Sequence, residues 1–436
     1  MLVPLHGIAS RHDLPLPFSY VLAGAALALA VSFAVLLLAW RRPRFATVGG
    51  LVLPRLTRVV DAPATRAVAR LVVLAGYAWA ALALALGQDL LTNPVFGFVY
   101  VWMWVGLIPV SLLLGQFWRA TNPVRTVHRL LCAVARVDPD EGLLRLPAAV
   151  GRWPAALGLF GFAWLELVQP DRTTLAVLRV WALAWLVLLV LGAIVFGQRW
   201  VTAADPFEAY AGSVAQLSPW RRVGSEIRLV NPLAGLTTWR PPPGAVGVVA
   251  VLLGSTAYDS FANLSWWIQT VQSSSVVTVV WASGGLLVMI LVVLGTFALA
   301  AGWMSRYGDR PARAYPRLMA GSVVPIVIGY AVAHYLTLLV TEGQHTAILL
   351  SDPLGRGWDV FGTAGLQVDN AIYDHPGVVA TVQALAIVLG HVLGIVCAHE
   401  LAVALLPERS ALRGQWPMLV VMVGYTCAGL VLLFSP

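Results

Sequence analysis

The chain has 436 residues, 59% of them hydrophobic and only 11% charged, with a mean hydropathy of +0.81. Soluble domains carry about 25% charged residues and cannot hide that much apolar surface, whereas a bilayer accepts it. The formal charge of +8 comes entirely from Arg, with no Lys. These Arg residues sit between hydrophobic runs rather than on one basic face, which argues against nucleic acid and for contact with a lipid surface.

Runs of about 20 apolar residues match the thickness of a bilayer core at 1.5 Å rise per residue. They predict an all-α polytopic bundle of ten spans near 18–40, 70–87, 95–115, 153–169, 173–197, 245–267, 276–303, 318–340, 378–402 and 416–434. The segment 153–169 is the shortest and carries Glu166. The N-terminus lacks a basic leader and a small-residue cleavage site, so the first run is expected to remain as a span. Cys132, Cys397 and Cys427 form no disulfide or zinc spacing.

With both termini outside, 24 of the 28 Arg fall on the cytoplasmic side, leaving Arg11, Arg172, Arg179 and Arg356. The opposite orientation violates the positive-inside bias. Trp40, Trp118, Trp200, Trp266, Trp267, Trp303 and Trp416 fall near span ends, where an amphipathic ring favours the headgroup layer. The expected location is a bacterial inner (cell) membrane, crossed many times, with lipid as the constant partner.

Two similar strings follow the third and fifth spans, Gly115-Gln116-Phe117-Trp118 to Asn122-Pro123 and Gly197-Gln198-Arg199-Trp200 to Asp205-Pro206. Asn or Asp before Pro is a helix start, since the side chain caps free amides and Pro fits the first turn. Interfacial helices are expected near 123–136 and 206–217, within a weak duplication. The rest is read as one integral membrane domain, 1–436, with a cytoplasmic connector at 198–244 stiffened by Pro241-Pro242-Pro243. An outer segment at 341–377, with Trp358, Phe361 and Leu366, is expected to fold as a cap.

Ionisable groups at membrane depth cost at least about 2.5–3.5 kcal/mol and usually face a cavity or a partner. In the sixth span Ser255, Asp259 and Asn263 share a face; Asp259 is a candidate base or ligand, or else a carboxylate locking helix packing. In the eighth, Tyr330, His334, Thr337 and Thr341 form a stripe ending at Glu342, a second candidate catalytic carboxylate. In the ninth, Gln383, Ile387 and His391 share a face, while His399 and Glu400 lie two turns on near the cytoplasmic end, where His399 is read as a snorkelling end residue in preference to a second site. Glu166 and Arg179 are expected to form a structural ion pair.

Asp259, His334 and His391 make a set suited to a divalent metal, which lowers the pKa of a bound water and makes a nucleophile. No diagnostic spacing such as HExxH accompanies them. His6 and His12 in the tail, with His345 and His375 in the outer segment, are further imidazoles on the same side.

The strings Leu253 to Phe261 (LGSTAYDSF), Ala333 to Gln344 (AHYLTLLVTEGQ), Ser351 to Gly362 (SDPLGRGWDVFG) and Gly390 to His399 (GHVLGIVCAH) resemble actinobacterial multi-pass proteins of the fenitrothion hydrolase-like family. The opening from His6 to Pro17 shares the likeness, which covers nearly the whole chain. The resemblance implies phosphotriester hydrolysis of a small apolar substrate, and brings no established catalytic residues. Read from the residues, three functions compete. One is an outward-facing hydrolase using metal-bound or Asp259-activated water. Another is a transporter with midplane polar groups. The third is an oxidoreductase holding haem b or copper through His334 and His391.

Overall fold

The computed structural model describes residues 13–45 and 47–434, so His6 and His12 lie outside the described residues. The chain is an all-α polytopic helix bundle, with only three short strands among the described residues. In chain order it forms α1 (Phe18–Ala39), α2 (Pro54–Asp61), α3 (Pro63–Leu86), α4 (Pro94–Gly97), α5 (Leu107–Leu114), α6 (Phe117–Thr121) and α7 (Pro123–Ala135). There follow α8 (Trp153–Leu167), α9 (Leu175–Phe196), α10 (Gln198–Ala204), α11 (Pro206–Val214), α12 (Pro232–Thr237) and α13 (Ala245–Ala262). The last are α14 (Ser265–Ser273), α15 (Thr278–Gly302), α16 (Tyr315–Met319), α17 (Val324–Leu349), α18 (Pro376–Leu405) and α19 (Ala411–Leu433).

Eight helices, α1, α3, α9, α13, α15, α17, α18 and α19, are long and apolar enough to cross a membrane. The third expected span is broken: a π-helical stretch, Phe98–Met103, follows α4, and the path bends by 47° before α5. The fourth is the 15-residue α8, which at 1.5 Å per residue spans roughly 22 Å and falls short of a 30 Å core.

The chain divides into two compact units, residues 1–49, 230–337 and 371–436 in one, and 50–229 with 338–370 in the other. The most enclosed spans are α13, in the first unit, and α17, which belongs to that unit up to Thr337; each has 78% of its apolar window buried. Small residues let backbones touch there. A Cβ at Gly254 would lie 2.7 Å from Ile290 Cα on α15, and one at Gly329 would lie 2.4 Å from Ala386 O on α18. Such close approach is the usual way membrane helices gain packing energy without a hydrophobic drive between them.

The second unit carries the duplicated strings. Gly115 (φ +67°) ends α5 and Gly197 (φ +70°) ends α9, each in a left-handed conformation that glycine adopts at little cost. The helix expected near 123–136 is present as α7, burying Val124, Arg125, His128 and Cys132 and exposing Leu130, Leu131 and Val134. The expectation for 206–217 is corrected: α11 ends at Val214 and all nine of its residues are buried, so it is a core helix, not a surface one. Its companions α5, α6 and α8 enclose it.

The segment 198–244 is more than a connector. It holds α10, α11 and α12 and two strands, β2 (Trp220–Val223) and β3 (Glu226–Leu229), and β3 also pairs antiparallel with β1 (Leu51–Val52). The loop expected at 341–377 is shorter than that because α17 runs on to Leu349. The turns after it are tied by Asp352 side-chain oxygens, which accept from Arg356 N at 2.9 Å and Gly357 N at 2.6 Å. Phe361 packs on Trp79, yet Trp358, Phe361 and Leu366 all remain exposed.

Candidate functional site

A buried polar chain joins α13 to α17 in the first unit. Asp259 and Ser260 are consecutive residues on α13, and the His334 ring lies between their side chains. His334 Nε2 is 2.8 Å from Asp259 Oδ2, and Nδ1 is 3.1 Å from Ser260 Oγ. Ser260 Oγ is in turn 2.8 Å from Tyr330 OH, one turn earlier on α17, and Tyr335 OH donates to Asp259 Oδ2 at 3.3 Å. All five residues are buried, His334 to 2% exposure. A carboxylate accepts only, so with Asp259 ionised His334 Nε2 carries a proton toward it, and Nδ1 takes or gives one with Ser260.

Of the three expected metal ligands the structure joins two, Asp259 and His334. His391 makes a different contact: its Nδ1 donates to Ile387 O at 2.8 Å, leaving Nε2 without a partner. Among the described residues no group of three or more His, Cys, Asp or Glu is placed to hold a metal ion. As an axial haem ligand His334 would have to give up Asp259 or Ser260, because both ring nitrogens are engaged. Glu342 belongs to the other unit, half-buried, 3.2 Å from His345 Nδ1. Gln383 Nε2 donates to Ala333 O at 2.8 Å, stitching α18 to α17.

The snorkelling expectation for His399 is corrected, since it is 1% exposed, as is its neighbour Glu400. Glu400 is held by the chain leaving α1, accepting from Arg44 N and Phe45 N at 2.9 Å and from the Trp40 indole. His399 Nε2 is 2.7 Å from Trp40 O and Nδ1 is 2.9 Å from Gln415 Oε1. Gln415 Nε2 donates to Ala411 O, which fixes its amide orientation. Both His399 nitrogens therefore face acceptors, an arrangement satisfied in full when both are protonated. Arg179, expected to pair with Glu166, donates instead to the Leu84 and Ala85 carbonyls that α3 leaves open at its end.

In the second unit the duplicated strings meet. Asn122 Oδ1 caps α7 by accepting from Val124 N and Arg125 N, and Asp205 Oδ1 caps α11 through Phe207 N and Glu208 N. The two caps then bond to each other, with Asn122 Nδ2 donating to Asp205 Oδ2 at 2.6 Å. Three residues on in each string come Arg125 and Glu208, a bidentate pair with both bonds at 2.6 Å and exposures of 4% and 3%. The other guanidinium donors reach Gln198 Oε1, Gln198 O and Thr202 Oγ1. Gln198 Nε2 donates to His128 Nδ1 at 2.8 Å. Burial, helped by the charges of Arg125 and Arg129, holds the His128 pKa below its ordinary value. Sequence reasoning found the caps and missed the ion pair; opposite charges at matched positions of the two strings are the signal that would have found it.

The chain matches no protein family, no curated protein and no solved structure.

Proposed function

We propose that the protein is a proton-coupled permease of a bacterial cell membrane, carrying its proton on the Asp259–His334 pair. The observation that supports this reading is the 2.8 Å contact between a carboxylate and an imidazole, both over nine-tenths buried, on two spanning helices. Embedded ionisable groups are costly, and pairs of them mark proton and substrate paths. A proton can sit on either member of this pair without changing the charge of the whole. Ser260 and Tyr330 extend the chain as hydroxyls that both donate and accept. The same glycine contacts between α17 and α18 that give close packing also present few side-chain obstacles to helix sliding. The cargo class that suits such a path is a small apolar or weakly acidic molecule.

The second reading is the hydrolase that the family resemblance implies, and one feature favours it. Ser260, His334 and Asp259 stand in the order of nucleophile, base and orienting acid. Against it, Ser260 lies within α13, whose backbone amides are already bonded along the helix and offer no oxyanion donors.

Sealed proteoliposomes containing a pH-sensitive dye distinguish the readings when offered labelled weak acids and a labelled nitrophenyl phosphotriester. Accumulation of intact label with lumen acidification, lost in Asp259→Asn and His334→Gln, is the expected result. Release of nitrophenol that Ser260→Ala abolishes would replace the permease with the hydrolase. Label movement that ignores all three substitutions would remove the site from either role.

A further inference from the structure

Arg129, on α7, is a half-buried cation with no counter-ion in contact. Among the described residues its guanidinium makes no hydrogen bond and no ion pair. Glu208 is already taken by Arg125 in a bidentate pair, and Asp140 acts on Arg129 only from a distance. Burial, then the like charges of Arg70 and Arg125, hold the Arg129 pKa below its ordinary value.

Arg70, on α3, is the charge that bears on Arg129 most. Its Nε donates to Ala120 O at 3.2 Å, which pins the side chain beside the residues leading into α7. Both terminal nitrogens are left without a bond among the described residues. Helical side chains lean toward the N-terminus of their helix, so Arg129 leans along α7 toward the end where Arg70 is pinned. From Pro123 to Arg129 the helix rises only roughly 9 Å, a gap that two long side chains approach from opposite ends. Two like charges are thus brought near each other with no anion between them, an arrangement that an anion would relieve.

An independent observation says where that anion comes from. The helix α7 is not one of the spanning helices, yet Leu130, Leu131 and Val134 are exposed on it, and Leu71 is exposed on α3. Leu130 follows Arg129 directly, as Leu71 follows Arg70. Aliphatic side chains in the open beside both cations suit acyl chains rather than water.

We propose that Arg70 and Arg129 clamp the phosphate of one anionic glycerophospholipid, whose acyl chains lie over Leu71, Leu130, Leu131 and Val134. Guanidinium forks match phosphate oxygens in pairs, and basic clefts between helices at the bilayer edge bind such headgroups. Two cations select a headgroup of net negative charge, since a zwitterionic one brings its own ammonium. The site belongs to the second unit and does not depend on the transport reading.

The test uses the full chain, purified in detergent and stripped of lipid. Bound lipid is counted by native mass spectrometry during titration with phosphatidylglycerol, and with phosphatidylcholine of the same acyl length. The expected result is one phosphatidylglycerol per chain, held at least about fivefold more tightly than phosphatidylcholine. Arg70→Gln and Arg129→Gln should each weaken that binding at least about fivefold. Arg129→Lys, which keeps the charge and loses the fork, should fall between the parent and Arg129→Gln. Arg41→Gln, at an exposed arginine after α1, should bind as the parent does. No preference of the parent for phosphatidylglycerol, or equal binding after the Arg70 and Arg129 substitutions, overturns the site. Two lipids per chain, each lost with a different substitution, overturn the shared clamp. Displacement of the lipid by inorganic phosphate at equal concentration would show that the acyl chains add nothing, and overturns the lipid assignment.

Discussion

Asp205 shows how one buried carboxylate acquires a pH response. It is 0% exposed, and its pKa is raised to about 7, first by burial and then by the charge of Glu208, against the lowering effect of Asn122 and two backbone amides. Asp205 lies outside the spanning helices. Arg125, on α7, is the cation paired with Glu208; Arg152, Arg129 and His128, whose pKa burial lowers, complete the charged and titratable surroundings, with Tyr77 on α3 near Asp205. Because the folded pKa lies above the unfolded one near 3.8, the contribution to stability is full below that lower value and is lost as pH rises through about 7. The thermal midpoint of the wild type should therefore fall between about pH 4 and pH 7, a span worth at most roughly 4 kcal/mol from this group. In Asp205→Asn that slope should flatten, whatever constant offset the amide introduces. A slope equal to that of the wild type would mean that another group titrates. The residue scale is also where the sequence said least. Asp259 and His334 stood out as polar letters in apolar runs, but they are 75 positions apart, and no local pattern states that they touch. Nothing local marked the role of Glu400, because its partners, Trp40, Arg44 and Phe45, are drawn from the other end of the chain.

The helix pair α7 and α11 carries the argument to the scale of elements. Each begins with a cap and a Pro at its first position, and both features were readable from Asn122-Pro123 and Asp205-Pro206. Such signals are local, since a cap acts on amides two or three residues ahead. The mutual bonding of the caps is not local, and neither is the burial of α11, which depends on α5, α6 and α8 closing around it. Removing one member of the Arg125–Glu208 pair leaves the other charge buried without a counter-ion, so Arg125→Met should cost about 3–5 kcal/mol. The Arg125→Met/Glu208→Leu double variant should be markedly less destabilised than the sum of the singles, because it buries no orphaned charge. Chemical unfolding of the four proteins in one detergent measures the coupling; additivity would show that the pair is held by something other than its charges.

For the molecule as a whole, hydropathy carried the fold class, because a bilayer leaves helices and closed barrels as the only backbones that satisfy themselves. Long uniform spans such as α1 and α9 fell where expected. The third and fourth spans did not read cleanly: one turns through π-helical geometry, and the other is too short, so apolar composition overstated their regularity. The proposed orientation, both ends outside, requires an even number of crossings, so these two segments must either both span or both not, and the ten-span reading counts both. Single-cysteine reporters in a cysteine-free chain test it in intact cells. An impermeant maleimide should label Asp171→Cys, between α8 and α9, and should reach Ser410→Cys, before α19, only after the cells are opened. The reverse pattern would invert the orientation.

The clasp of Glu400 around the segment after α1 has a consequence for how the protein is made. Trp40 and Glu400 are 360 residues apart. At about 5–20 residues per second the ribosome needs roughly 20–70 s to cover that stretch. Throughout that interval α1 has been delivered to the membrane and its eventual neighbour α18 has not. Its mean hydropathy of 2.7 lets it wait in lipid alone, which α13, with Asp259 and four hydroxyl residues, is far less suited to do. Assembly of the first unit is thus timed by translation of the second, and the strap behind α1 is fastened among the last events of biogenesis.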